Sequence, residues 1–117
     1  MSASFLFFLG ITFFVLHEID AVRCKEWHIF PGLSQLSDLW GKRIFLLAHI
    51  PIGYFIFWQL TASESPEIFK TGFDVFLLIH LVAHLVYLKH VKNQFKDWIS
   101  WTFIVGAGIC GLFDLIF

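Results

Sequence analysis

Four apolar runs, at about 4–22, 40–60, 68–88 and 98–117, account for most of the chain. Each is about 20 residues long, the length a helix needs to cross a hydrocarbon core of about 30 Å at about 1.5 Å per residue. The composition agrees: 58% of residues are hydrophobic and 15% charged, where a soluble domain carries about 25% charged residues. The expected fold is therefore all-α, a four-transmembrane-helix antiparallel bundle forming a single integral membrane domain over residues 1–117. Between the runs lie polar connections: Pro31-Gly32 with Ser34, Gln35, Ser37 and Asp38, then Thr61 to Glu67, then Lys89 to Asp97. Pro51 inside the second run removes a backbone hydrogen bond and predicts a kink there.

Charge sets the expected orientation. Arg23, Lys25, Lys42, Arg43, Lys89, Lys92 and Lys96 lie at the first and third connections, and Lys70 alone follows the second. An excess of basic residues marks cytoplasmic loops, so both termini are expected outside the cytoplasm. Trp27, Trp40, Trp98 and Trp101 cluster at the basic end and Trp58 at the other, as an interfacial belt would. Met1-Ser2-Ala3-Ser4 has no positive stretch and the first run has no small-residue cleavage site after it, which predicts a retained helix, not a removed signal. The net charge of −1 gives no footprint for nucleic acid. Membrane lipids are the expected surroundings, and a homo-oligomer is compatible with so small a bundle.

Topology converts position into depth. His17 lies six residues inside Arg23 and His49 six inside Arg43, both about 9 Å below the boundary. His84 and His80 lie five and nine residues inside Lys89, at about 8 and 14 Å. Helices of alternating direction thus place His17, His49, His80 and His84 in one layer, and they are expected to face one another. His80 and His84 share a helix face at i, i+4, a spacing suited to one ion. Glu18 and Asp20 sit beside His17 as candidate bases, ligands or orienting groups, and Cys24 continues the Asp20 stripe. His28 and His90, beside basic residues at the interface, read as surface histidines. Gly106-Ala107-Gly108-Ile109-Cys110-Gly111 reads as a close-packing stretch on a helix that donates no ligand. Asp74 and Asp114 reach a similar level at the far end, as an outer pair or as solvated groups, the latter being the simpler expectation. Cys24 and Cys110 fall at different depths, so no disulfide is expected.

Three functional readings fit this layer. The first is a metalloenzyme with a transition metal ion, zinc or iron, bound by His17, His49, His80 and His84, and with Glu18 and Asp20 as catalytic groups. Zinc would serve hydrolysis and iron oxidation of a lipid or other apolar small molecule. A two-metal oxidase would need more ligands, recruiting His17, Glu18 and Asp20 with Glu26 as an optional addition, so a single ion ranks higher; a structural metal brace fits the same residues. The second is a haem clamped by His49 opposite His80 or His84, although i, i+4 histidines suit a compact ion better. The third is a non-enzymatic module or proton relay, against which stands the apolar gap between the histidine layer and Asp74 or Asp114.

His17-Glu18-x-Asp20-Ala21 with Glu26-Trp27, His49-x-Pro51, His80-x-x-x-His84 and His90-x-x-Asn93-x-Phe95 together resemble a family of small bacterial four-helix membrane proteins with no established activity. That resemblance covers the whole chain and implies a bacterial inner-membrane protein without implying a reaction. Val91 stands where the family pattern is expected to have proline. His80-x-x-x-His84 alone resembles one cluster of the membrane hydroxylases and desaturases, which carry several. Membrane ceramidase-like hydrolases combine histidines with an acid and a serine, and here Ser100 falls at the boundary, away from the histidine depth.

Overall fold

Caps written into the connections set where the helices begin. The computed structural model describes residues 3–117, with side chains from Phe5 onward, so Met1 and Ser2, part of the stretch on which the retained-helix expectation rests, lie outside the described residues. The chain forms α1 (Ala3–Arg23), α2 (Asp38–Thr61), α3 (Pro66–Val86) and α4 (Trp98–Ile116), with no strand among the described residues. All four are long and apolar enough to cross a membrane. Ser37 accepts a hydrogen bond from the Trp40 amide at 3.3 Å and starts α2 two residues before the apolar run does. Pro66 occupies the first turn of α3, where its missing N–H has no role. Asp97 accepts from the Ser100 amide at 2.8 Å and starts α4. α2 continues through Pro51.

The helices do not share the packing equally. α4 lies against both α1 and α3, and these three form the core of the bundle. Its small residues Ala107, Gly108, Cys110 and Gly111 are buried, the packing role their composition predicts. α2 stands at the margin: most of its surface faces outward, and it touches α3 and the connection that precedes it.

That connection folds back beneath the bundle. Lys25 takes a left-handed conformation (φ 51°), uncommon for a non-glycine residue, and turns the chain into a 3₁₀ turn, Glu26–His28. Trp27 is buried to 2% exposure, donates from Nε1 to Asp38 Oδ1 at 3.0 Å, and packs on Phe45. A Cβ at Gly41 would lie 2.9 Å from Trp27 Cδ1, so only glycine lets α2 approach this ring. The connection before α4 closes from the other side. Asn93 donates to the Leu88 carbonyl at 3.0 Å and accepts from the Phe95 amide at 3.1 Å, which seats Phe95 fully buried.

A polar seam joins α1 to α4 at the basic end. Ser100 Oγ donates to Asp20 Oδ2 at 2.5 Å, and Arg23 reaches Asp20 Oδ1 at 2.8 Å, Ser100 Oγ at 3.0 Å and Asp97 at 3.4 Å. Cys24 Sγ rests 3.8 Å from both Asp20 and Ser100. Burial pushes its thiol up, so it packs as a neutral group.

Candidate metal centre

Helix periodicity places the first groups. His80 and His84 project from one face of α3, their ring centroids 4.6 Å apart. His17, on the buried face of α1 with no exposed surface, meets both at 4.5 and 4.8 Å. His17 Nε2 and His80 Nε2 are 3.1 Å apart. The fourth member comes from the folded-back connection. Glu26 Oε2 lies 3.3 Å from His17 Nε2 and 3.6 Å from His84 Nε2. One ligand atom from each of His17, Glu26, His80 and His84 falls within 4.8 Å of all the others. A tetrahedral ion with ligands at 2.0–2.1 Å would hold its donors about 3.4 Å apart, so these side chains need only small adjustments.

The donor chemistry fits a cation. Only one hydrogen can lie between two facing Nε2 atoms, and Glu26 Oε2 is buried with no hydrogen-bond partner. Burial pushes the Glu26 carboxyl up, and the facing His17 and His84 rings pull it down further, to about 2, which leaves a carboxylate against the imidazoles. The Nδ1 atoms of His17 and His80 also lack partners. Aromatic walls hold these rings instead: Phe95 stands 5.2 Å from His17 and 4.8 Å from His84, and Phe14 stands 5.4 Å edge-on to His80.

His49 and Glu18 form a separate pair beside the cluster. His49 Nδ1 faces the Phe45 carbonyl at 2.7 Å, which requires the ring hydrogen there. His49 Nε2 is hydrogen-bonded to Glu18 Oε2. With Nδ1–H already committed, that second bond needs another proton, carried by either partner. Glu18 Oε1 is 3.7 Å from His17 Nε2, so the pair adjoins the cluster. The histidine layer thus divides. His17, His80 and His84 converge, whereas His49, expected to join them, turns to Glu18 because α2 lies at the margin. Asp20, expected at the site, is bound instead to Arg23 and Ser100 in the α1–α4 seam. Cys24 lies in that seam too.

The basic-end histidines read as surface groups hold that position: His90 is exposed, and His28 pairs with Asp38 at 2.6 Å. Asp74 is not solvated; it is 2% exposed and set against α4. Glu26 and Phe95 are the site residues that depth counting missed. Both lie in connections, outside the runs to which a depth could be assigned.

A cavity of about 930 Å³ opens beside the cluster. Glu18, Glu26, His49 and His80 lie on its wall, and the rest of the lining is largely apolar, from α2, α3 and the Phe30–Leu36 connection. With this geometry in place, the family comparison covers nearly the whole chain: the profile described as "Family of unknown function (DUF6713)" matches residues 3–117. The chain belongs to DUF6713. No curated protein and no solved structure matches it. Within this DUF6713 chain the match contains every member of the cluster and of the Glu18–His49 pair.

Proposed function

We propose that this protein is an integral membrane metalloprotein whose ion is held by His17, His80, His84 and Glu26 and serves a reaction on a lipid or other apolar substrate. The observation that carries the reading is the convergence of these four donors beside a large apolar cavity, on whose wall His80 and Glu26 lie. Three imidazoles and a carboxylate suit zinc or iron(II), either of which would polarise an oxygen atom of a bound molecule. Glu18, paired with His49 and beside His17, is placed to take or return a proton. The basic end is proposed to face the cytoplasm of a bacterial inner membrane.

A haem is less favoured. Its expected axial ligand His49 has both ring nitrogens engaged, by the Phe45 carbonyl and by Glu18, and does not face His80 or His84. A proton path is less favoured too, because buried Leu77 and the Phe73–Phe7–Phe14 packing separate the cluster from Asp74.

The protein purified in mild detergent is expected to contain about one zinc or iron per chain, since the cluster has the donors of a single mononuclear site. Elemental analysis tests this, and the absorption spectrum separates an ion from haem. A metal-free preparation that takes up neither ion on reconstitution sinks the proposal.

A further inference from the structure

We infer that the cavity is the binding site of a single-chain amphiphile with a small uncharged head. Its head would lie at the cluster and its tail between α2 and α3. This deepens the proposed function and rests on its placement of the substrate beside the cluster.

The polar groups of the cavity are confined to one end. From there Ile52, Phe55 and Ile56 of α2 face Phe69, Phe73 and Phe76 of α3, a stripe repeating every three or four residues on each helix. From His80 to Phe69 is eleven residues, about 16 Å of helix. That is room for an extended chain of roughly a dozen carbons. Gly72 borders this tail region, and a Cβ there would meet nothing within 4 Å.

The route of access follows from what closes the other sides. The Phe30–Leu36 connection lines the cavity at the basic end, anchored by Trp27 on Gly41, so approach from that aqueous side meets protein. α2 and α3 touch only lightly, which leaves the lateral side, where a ligand already dissolved in the bilayer arrives. The head is constrained by depth. His17 lies about 9 Å inside the Arg23 boundary. A phosphate group would have to leave the interface to reach it, at the cost of burying charge in the hydrocarbon layer. A hydroxyl, aldehyde or ester carbonyl meets no such cost.

The test uses a long-chain alcohol with a photoactivatable diazirine near its tail end, added to the full-length protein in detergent and in vesicles. Labelling is expected to map to the α2 and α3 segments containing Phe55, Phe69 and Phe73. It should be competed by unlabelled dodecanol and not by dioleoyl phosphatidylglycerol. Gly72→Phe, which places a ring in the tail region, should lower labelling about tenfold with metal content at the wild-type level; Gly72→Leu repeats the test with a smaller plug. Undiminished labelling in both folded variants overturns the inference. So does equal competition by the phospholipid, or labelling on the outward residues Tyr54 and Phe57. Specific labelling of a protein that binds no metal would uphold the amphiphile site and remove the metal reading. A metal-loaded protein without specific labelling would do the reverse.

Discussion

His17→Ala is expected to lower bound metal at least about tenfold, comparable to the loss from disturbing a metal ligand's environment. His17 is the hub of the cluster. Its Nε2 lies 3.1 Å from His80 and 3.3 Å from Glu26, and its ring packs against His84. Deleting it removes one donor and the wall that holds two others. The ring is also fully buried, so the alanine variant leaves a cavity, and folding must be read separately by gel filtration. Glu26→Gln resolves the two effects. It keeps the side chain's shape but replaces a carboxylate with a weakly ligating amide, so metal should fall while the elution profile stays unchanged. His90→Ala, at an exposed position, should leave metal content untouched. Wild-type metal content in both His17→Ala and Glu26→Gln would remove these residues from any metal site.

How far the sequence reaches follows from what kind of information each feature needs. Run length alone predicts four helices, and their ends differ from expectation by about two residues, where Ser37 and Pro66 act as local start signals. Counting residues from a charged boundary predicts which histidines share a level, and it finds His17, His80 and His84 together. Depth carries no information about azimuth. It therefore placed His49 with the others, although α2 lies at the margin of a core made by α1, α3 and α4. Asp20 is expected at the site because it stands three residues from His17 on one face of the helix, yet its carboxylate is taken by Ser100 of α4. Glu26 escapes a depth count for a different reason. It lies past the end of α1, and only the left-handed Lys25 and the docking of Trp27 onto Gly41 bring it back under the bundle. Those are long-range contacts, invisible to a count along one helix. Glu26-Trp27 and Asn93-x-Phe95 did stand in the motif on which the family resemblance rests. Phe95 thus stands in that pattern without a role, and Glu26 with one only as an extra ligand of a two-metal site.

Gly111→Leu should be the most damaging single change in the packing of the bundle. A Cβ at this position would lie 2.8 Å from the Asp74 carbonyl oxygen and 3.1 Å from Leu77 Cβ. The first neighbour is backbone and the second is the fixed base of a fully buried side chain, so neither can swing aside. α4 must move away from α3, and that loses contact along the seam that buries Leu77, Asp74 and Ala107. Overpacking of this kind typically costs about 1–3 kcal/mol and occasionally more. At the upper end that is a fall of roughly 10 °C or more in the unfolding midpoint of a domain this size. Because α3 carries His80 and His84, metal content should fall with it, through displacement of the donors and not through loss of any one. Gly53→Ala is the internal control, since a Cβ there meets nothing within 4 Å and alanine favours the helix. The measurement is the thermal midpoint in detergent by size-exclusion or intrinsic tryptophan fluorescence, with metal content taken on the same samples. Equal midpoints for Gly111→Leu and Gly53→Ala would mean that α4 does not approach α3 as closely as this packing requires. The separation between His84 and His17, set by the way α4 holds α1 and α3 together, would then have to be drawn again.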